Sequence, residues 1–344
     1  MAQISPALKT FNAFSGIPIY RLTLKAFENF WTYAYLVLVD DMQVLIDTGS
    51  GFGNCNQDLE DGLALAGDEV NCPISLTTLT HVLITHGHID HFGGLPHIHK
   101  NSPAKIGIHE LDMRIIANYE ERLILVSQCL NDFLKSAGVT DIQRENLLKV
   151  YRMAKLTYQS VPVDFCFEEI GMSLGPFEML HVPGHCSGHV VIRLEDVLFV
   201  GDHVLGDISP HQSPESLSAF TGLGHYLKSL ESVRAWASDT RLGLPGHDDP
   251  IPDLNTRLDE IKKVHADRLA DIQNILEVPH TIAEIAHELF GDVQGYYGYN
   301  QLLALEEAGA HVEYLYQRGL LHIHNLDEIK KNSTPRSIYY SLLI

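Results

Sequence analysis

The fold is decided by the stretch HVLITHGHIDH at positions 81–91. Its apolar start predicts a buried strand, and the polar cluster therefore lies at the carboxyl end of that strand. Burying His86, His88, Asp90 and His91 so close together is costly unless each side chain has a partner. One or two metal ions would satisfy all four, and nitrogen and carboxylate ligands suit Zn²⁺, Fe²⁺ or Mn²⁺.

The same arrangement, an apolar run that ends in a candidate metal ligand, recurs three times further along the chain. His185 ends FEMLHVPGH (177–185), Asp202 ends VLFVGD (197–202), and His247 lies in LPGHDD (244–249). A single histidine or aspartate at a turn is more often a capping residue than a ligand. Their order after the histidine-rich stretch indicates one metal centre assembled from several strand ends.

Composition narrows the class of protein. The chain has 344 residues, 45% of them hydrophobic, and a formal charge of −20 that disfavours binding to nucleic acid or to an anionic membrane surface. Its five cysteines are scattered without a C-x-x-C spacing, which argues against a disulfide framework and for a reducing compartment. We find no export signal and no apolar run long enough to span a membrane, so we expect a cytoplasmic protein.

Hydrophobic periodicity divides the chain into strand-rich and helical parts. Residues 33–51 predict a hairpin that turns at Asp40-Asp41, and residues 189–203 predict a second that turns at Glu195-Asp196. Apolar steps of three and four residues between about 110 and 160 predict two or three amphipathic helices. After Pro252 the pattern is helical again, with Thr281 and Glu284 forming a capping box.

With five motifs in order, the chain resembles the metallo-β-lactamase superfamily. The motifs appear as LIDTGSG (45–51), HGHIDH (86–91), PGHCSGH (183–189), FVGDH (199–203) and LPGH (244–247). The resemblance implies an α/β fold, the αββα sandwich of that superfamily, over residues 1–254, with the helical stretch at about 110–160 as an insertion.

The resemblance also implies the ligands of two divalent metal ions. One ion would be held by His86, His88 and His185, the other by Asp90, His91 and His247, and Asp202 would bridge them. Zinc is the expected metal, with iron and manganese as alternatives. The residues expected beside the ligands, where they would orient them, are Asp47, His189 and His203.

The tail, residues 255–344, resembles the small winged-helix-like domain of some members related to glyoxalase II. Its eight basic and thirteen acidic residues leave a net charge of about −5, which argues against DNA binding. We therefore expect it to form a wall of the substrate pocket or a contact in a homodimer. Its cluster Tyr296, Tyr297 and Tyr299 fits either role.

By this resemblance the activity is hydrolysis of a small-molecule thioester or activated ester. Two ions would supply a metal-bound hydroxide near neutral pH, with Asp90 or Asp202 taking the proton. The substrate-binding residues are not identified by the sequence. Alternatives are an N-acyl homoserine lactonase, a phosphodiesterase or ribonuclease, a mononuclear iron enzyme that oxidises persulfides, and a metal-binding scaffold without turnover.

Overall fold

The computed structural model of the chain describes residues 8–155, 158–291, 298–331 and 337–343. They form two compact units. The first contains the described residues within 1–119, 158–210 and 229–258, and the second contains those within 120–157, 211–228 and 259–344. Most of the helical stretch predicted as an insertion thus groups with the C-terminal residues, while the predicted division at 254/255 stays a prediction.

The first unit contains a seven-stranded sheet in sequential order. Its strands are β1 (Lys9–Asn12), β2 (Pro18–Phe27), β3 (Phe30–Val39), β4 (Met42–Ile46), β5 (His81–Leu83), β6 (Lys105–Ile108) and β7 (Phe165–Cys166). Strands β1 to β4 are antiparallel, and β4 to β7 are parallel. The predicted turn at Asp40-Asp41 is confirmed between β3 and β4, where Val39 pairs with Met42.

A five-stranded sheet in the same unit has the order β12-β11-β10-β9-β8. Its strands are β8 (Ser173–Leu174), β9 (Phe177–His181), β10 (Val190–Leu194), β11 (Val197–Gly201) and β12 (Leu242–Pro245). The predicted hairpin that turns at Glu195-Asp196 is confirmed, because Leu194 pairs with Val197. Strand β12 runs parallel to β11.

Two apolar layers hold this unit together. Tyr35 and Ile46 of the first sheet pack with Phe177, Val190 and Phe199 of the second, so the sheets face each other across a buried core. On its other face the first sheet contributes residues such as Leu22 and Leu24 to a layer with helices α1 (Cys55–Val70), α2 (Ile89–Phe92) and α3 (Leu95–Asn101). The predicted α/β sandwich is confirmed.

The remaining helices include those predicted from amphipathic periodicity. The stretch from 110 to 160 forms α4 (Glu110–Ala117), α5 (Tyr119–Ser136) and α6 (Asp141–Lys155). They are followed by α7 (Leu223–Trp236), α8 (Leu254–Ile275), α9 (Ile282–Phe290), α10 (Tyr299–Gln317) and α11 (Leu326–Lys331). Among the described residues, no helix is both long and apolar enough to cross a membrane.

The second unit has its own core. Leu130 and Phe133 of α5 and Leu147 of α6 pack with residues of the C-terminal helices, among them Ile272 and Ile285. Helix α9 begins after the predicted capping box, in which Glu284 accepts a hydrogen bond from the backbone N–H of Thr281 at 2.8 Å.

A short antiparallel pair of strands, β13 (Leu321–Ile323) and β14 (Tyr340–Leu342), lies beyond α10, and α11 comes between the two strands in the chain. Helices followed by a short β pair suit the winged-helix-like expectation, which stays a prediction. Of the predicted tyrosine cluster, Tyr296 and Tyr297 lie outside the described residues.

Replacing Phe199 with alanine should destabilise the first unit by about 3–5 kcal/mol, since it empties a fully buried site between the sheets, where the Phe199 ring meets Tyr35 edge-on. Phe14, whose side chain is 89% exposed, is the matched control, and Phe14→Ala should change stability by less than about 0.5 kcal/mol. Urea unfolding followed by circular dichroism measures both. Equal effects of the two substitutions would contradict the assigned core.

Candidate metal centre

The candidate ligands follow strand ends of both sheets in the first unit. His86 comes three residues after β5, Asp202 directly follows β11, and His247 lies two residues after β12. Strands β4 and β5 are parallel, as are β11 and β12, so the carboxyl ends of each pair lie at one edge of its sheet. The topology therefore brings side chains that are distant in sequence into one place.

One group of candidate ligands consists of His86, His88, His185 and Asp202, whose ligand atoms all lie within 4.8 Å of one another. Nε2 of His185 lies 3.0 Å from Nδ1 of His88. The rings of His86 and His88 meet edge-on with their centroids 4.8 Å apart. The structure thus places the three histidines predicted for the first ion around a common point.

A second group consists of Asp90, His91 and His247, again with ligand atoms within 4.8 Å of one another. Oδ2 of Asp90 lies 3.2 Å from Nε2 of His247. Asp202 reaches this group as well, because its Oδ2 lies 3.3 Å from Nε2 of His247 and its Oδ1 lies 3.4 Å from Nε2 of His91. Asp202 therefore stands between the two groups.

Asp47 is hydrogen-bonded to the histidine-rich segment through Thr85 and His91. It is buried with a left-handed backbone (φ 61°), and it accepts hydrogen bonds from the backbone N–H and the hydroxyl of Thr85, both at 2.8 Å. Its Oδ2 also lies 2.9 Å from Nδ1 of His91. Because the Thr85 hydroxyl donates its proton to Asp47, Oγ1 of Thr85 can accept a hydrogen bond from Nδ1 of His86, 3.0 Å away. These contacts leave Nε2 of both histidines facing the candidate ligands.

The other two residues expected beside the ligands, His189 and His203, are fully buried next to them. The His189 ring stacks on His86 at a centroid distance of 4.5 Å, and its Nε2 accepts a hydrogen bond from the backbone N–H of Asp202 at 3.2 Å. His203 lies one layer further away, with its ring centroid 5.8 Å from that of His189. His189 is thus placed to support a ligand from each of two strand ends.

The residues fit a metal ion. Nε2 of His86, Nε2 of His91 and Oδ1 of Asp202 are buried, and none of them forms a hydrogen bond with any part of the chain that the structure describes. Buried polar atoms normally have a partner, so these three atoms are available to coordinate a cation. Imidazole nitrogens and carboxylate oxygens are ligands suited to Zn²⁺, Fe²⁺ and Mn²⁺.

The sequence model of the metallo-beta-lactamase superfamily matches residues 32–270, which contain all of these side chains. The chain belongs to the metallo-beta-lactamase superfamily. The predicted family is therefore confirmed, and the motif residues of this superfamily member are the ones that converge at the strand ends.

Curated relatives include fungal proteins. Lactamase-like protein aptB of Emericella nidulans is 28% identical over 248 residues, which are 72% of this chain and 60% of aptB. Atrochrysone carboxyl ACP thioesterase AacuM of Aspergillus aculeatus is 28% identical over 229 residues, 66% of this chain and 54% of that protein. The matched part therefore spans less than two thirds of either relative.

Solved structures share the fold over nearly the whole chain. A metallo-beta-lactamase family protein from Thermus thermophilus superposes with a TM-score of 0.69 at 23% identity, covering 94% of this chain and 98% of that one. A beta-lactamase domain protein from Burkholderia ambifaria gives a TM-score of 0.72 at 21% identity, covering 99% of this chain and 97% of that one. The likeness extends beyond the sandwich to the helical C-terminal region.

A third cluster of potential ligands lies in the second unit and consists of His265, Glu307 and His311. Glu307 already forms an ion pair with Arg268 and accepts a hydrogen bond from the backbone N–H of Gln212 at 2.7 Å. Nδ1 of His311 donates a hydrogen bond to the carbonyl of Glu307. Nε2 of the same ring lies 3.1 Å from Nδ1 of His265. Glu307 and His311 therefore have ion-pair or hydrogen-bond partners within the chain, while Nε2 of His265 is buried without a hydrogen bond to the described residues.

The electrostatics of the superfamily site separate its histidines into two kinds. Burial and the neighbouring imidazoles hold the pKa of His86 well below its usual value, so this ring is neutral. Burial also acts to lower the pKa of His91, but Asp202, Asp90 and Asp47 outweigh it and raise the pKa to about 10. The pKa of His247 is likewise raised well above its usual value by Asp202 and Asp90. In the metal-free protein these two rings are cations at neutral pH.

Zinc binding to the metal-free protein should therefore release about one to two protons at pH 8, because a ligating imidazole must be neutral and the raised pKa values keep His91 and His247 protonated there. The apparent zinc affinity should fall as the pH is lowered. Calorimetric titration in two buffers of different ionisation enthalpy counts the protons. Release of no protons would contradict this description, and His97→Ala, which alters a histidine paired with Glu60, should behave like the wild type.

Sequence reasoning missed several residues that the structure places at or near this site. The backbone carbonyl of Trp31 accepts a hydrogen bond from Nδ1 of His247 at 2.7 Å, and the ring of Phe30 lies 4.7 Å from the His247 ring. Asp112 of α4 accepts hydrogen bonds from the backbone N–H groups of Gly87 and Gly188, in the two loops that contain His86 and His185. A backbone carbonyl has no sequence signature, and a lone aspartate in a helix has no spacing that distinguishes it.

Proposed function

We propose that this superfamily member is a metal-dependent hydrolase that cleaves a thioester or a similarly activated ester. The observation that carries the proposal is the position of Asp202, whose carboxylate lies within 3.9 Å of ligand atoms of both groups. Its Oδ1 lies 3.4 Å from Nε2 of His91, and its Oδ2 lies 3.3 Å from Nε2 of His247 and 3.9 Å from Nε2 of His185. Such an arrangement suits two cations a few ångströms apart. The relatives named as atrochrysone carboxyl ACP thioesterases favour a thioester as the substrate class.

In this proposal one ion is held by His86, His88 and His185 and a second by Asp90, His91 and His247, with Asp202 between them. Zinc is the proposed metal, with iron or manganese as alternatives, because all of the donors are nitrogen or oxygen. When bound, the two ions would activate a water molecule and polarise the carbonyl of the substrate.

The chain's own residues would handle the protons and the geometry. In the metal-free protein burial acts to raise the pKa values of Asp90 and Asp202, but His91 and His247 outweigh it and hold both carboxylates in their charged form. Either carboxylate can take the proton of an attacking water. Asp47 holds Thr85 and His91 by hydrogen bonds and would thereby keep the metal ligands in position. The ligand side chains would then need little rearrangement during the reaction.

An aromatic cluster beside the site favours a substrate with an apolar or aromatic acyl group. At the β2–β3 turn the Phe27 ring contacts Phe30 and Phe52, with ring centroids 6.2 and 5.6 Å apart, and Phe30 contacts His247. Phe27 and Phe30 are 38% and 43% exposed. Exposed aromatic rings beside polar catalytic groups are typical of a surface that binds an apolar ligand.

Replacing Asp202 or His86 with alanine should remove bound metal and lower hydrolysis at least about 100-fold, because each substitution deletes a ligand. Elemental analysis and thioester turnover measure the two effects on the same preparation. His97→Ala, outside the site, should keep both metal and activity. Hydrolysis that persists in an Asp202→Ala protein after its metal is lost would overturn the proposed mechanism.

The substrate class is tested with three panels: acyl thioesters, lactones and a bis-aryl phosphodiester. About two zinc ions per chain with preferential thioester turnover would support the proposal. Preferential lactone turnover would move the enzyme to the lactonase alternative. Phosphodiester cleavage alone, or one iron per chain with oxidation of a persulfide, would contradict the proposed hydrolysis of a thioester. The net charge of −20 argues against an RNA substrate.

Phe27→Ala should lower kcat/KM for aromatic or long-chain acyl thioesters about 5- to 15-fold, mainly by raising KM, since it removes apolar contact area outside the reacting centre. An acetyl thioester should lose less than about 2-fold. Steady-state kinetics with both substrates give the ratio, and Phe14→Ala provides an exposed aromatic control. An equal loss on both substrates would contradict a role in binding the acyl group.

A further inference from the structure

Asp112 joins two of the loops that carry candidate ligands. Its Oδ2 accepts a hydrogen bond from the backbone N–H of Gly87 at 2.8 Å, and its Oδ1 accepts one from the N–H of Gly188 at 2.9 Å. Gly87 lies between His86 and His88, and Gly188 lies three residues after His185. A single carboxylate thus bonds to both loops, and its side chain is completely buried.

The two glycines are packed tightly against this carboxylate. A Cβ atom built on Gly188 would lie 2.8 Å from Cγ of Asp112, and one built on Gly87 would lie 2.4 Å from a methyl carbon of Ile115 and 3.2 Å from Cγ of Asp112. A Cβ atom on Gly188 would also lie 2.9 Å from the backbone nitrogen of Asp112, so this position has no room for a side chain. At Gly87 the end of the Ile115 side chain would have to move to make room.

Helix α4 is itself anchored where Asp112 lies, in its first turn. His109 caps the helix by accepting a hydrogen bond from the backbone N–H of Leu111, and its Nε2 lies 2.7 Å from Glu168. The His109 ring stacks on His181 at 3.9 Å, and Nε2 of His181 bonds to the carbonyl of Ser187 at 2.9 Å. The residue next to Gly188 is thus fixed from a second direction.

We propose that Asp112 is a positioning residue that sets the distance between the loop of His86 and His88 and the loop of His185. The two loops meet where Nδ1 of His88 and Nε2 of His185 are 3.0 Å apart, a spacing suited to two ligands of one ion. Hydrogen bonds that orient ligands are worth about 10- to 100-fold in metal affinity. This inference rests on the proposed function for the identity of the ligands.

Asp112→Asn keeps the shape of the side chain but turns an N–H₂ group toward one of the two backbone donors. We expect its zinc affinity, measured by competition with a chromophoric chelator, to fall about 10- to 100-fold, and its thioester turnover to recover in excess zinc. Glu110→Gln, which removes an exposed carboxylate from the same turn of α4, should change neither.

A merely structural role would lower the melting temperature of the metal-free protein without changing the zinc affinity of the folded fraction. An affinity of Asp112→Asn within about 3-fold of the wild type would therefore overturn the proposal. So would turnover that stays low when zinc occupancy has been restored.

A measurement on the unmodified protein decides the matter if the variant does not fold. In the metal-free, [¹⁵N]glycine-labelled wild type, the amides of Gly87 and Gly188 should exchange slowly with solvent, because Asp112 binds them before any metal does. Exchange at the unprotected rate would overturn the inference. The zinc affinity and the amide exchange need no substrate, so a wild type that binds zinc but hydrolyses no thioester would contradict the proposed function while leaving the role of Asp112 intact.

Discussion

Bringing five imidazoles and two carboxylates together away from water has an electrostatic cost that the surrounding structure must offset. Without cations, Asp90 and Asp202 meet this cost by keeping His91 and His247 protonated, while His86 stays neutral. The ends of strands from two sheets must therefore hold polar side chains whose mutual contacts are not favourable enough to keep them in place. The apolar layers between and behind the sheets, together with the buried carboxylate of Asp47, supply the rigidity that this arrangement needs.

Much of the site is predictable from sequence because its residues lie in short segments that also encode a strand end. His86 follows an apolar run and Asp202 follows another, so both the element and the ligand can be identified from one stretch of residues. The support around them is different. Trp31 contributes only its backbone carbonyl to His247, and Asp112 binds backbone amides in loops that are distant in sequence. Such contacts depend on the tertiary fold, and side-chain patterns do not encode them.

The fold shows the same division between local and distant information. Alternating apolar residues and the turns at Asp40-Asp41 and Glu195-Asp196 predicted both hairpins, since hairpin pairing is local. Helical periodicity predicted the helices between 110 and 160 but not their partners. An apolar stripe shows that a helix is covered without indicating by what, and α5 and α6 share their core with Ile272 and Ile285 of the C-terminal helices.

The close packing of Gly188 on α4 has a consequence for altering the protein by directed evolution. Gly188 lies outside the aromatic cluster at the β2–β3 turn, yet an added methyl group there would meet the backbone nitrogen and the carboxyl carbon of Asp112. Libraries meant to change substrate preference are therefore better placed at Phe27 and Phe52, which belong to that cluster. Substitutions at the buried contacts between α4 and the loops of Gly87 and Gly188 should be poorly tolerated in such libraries.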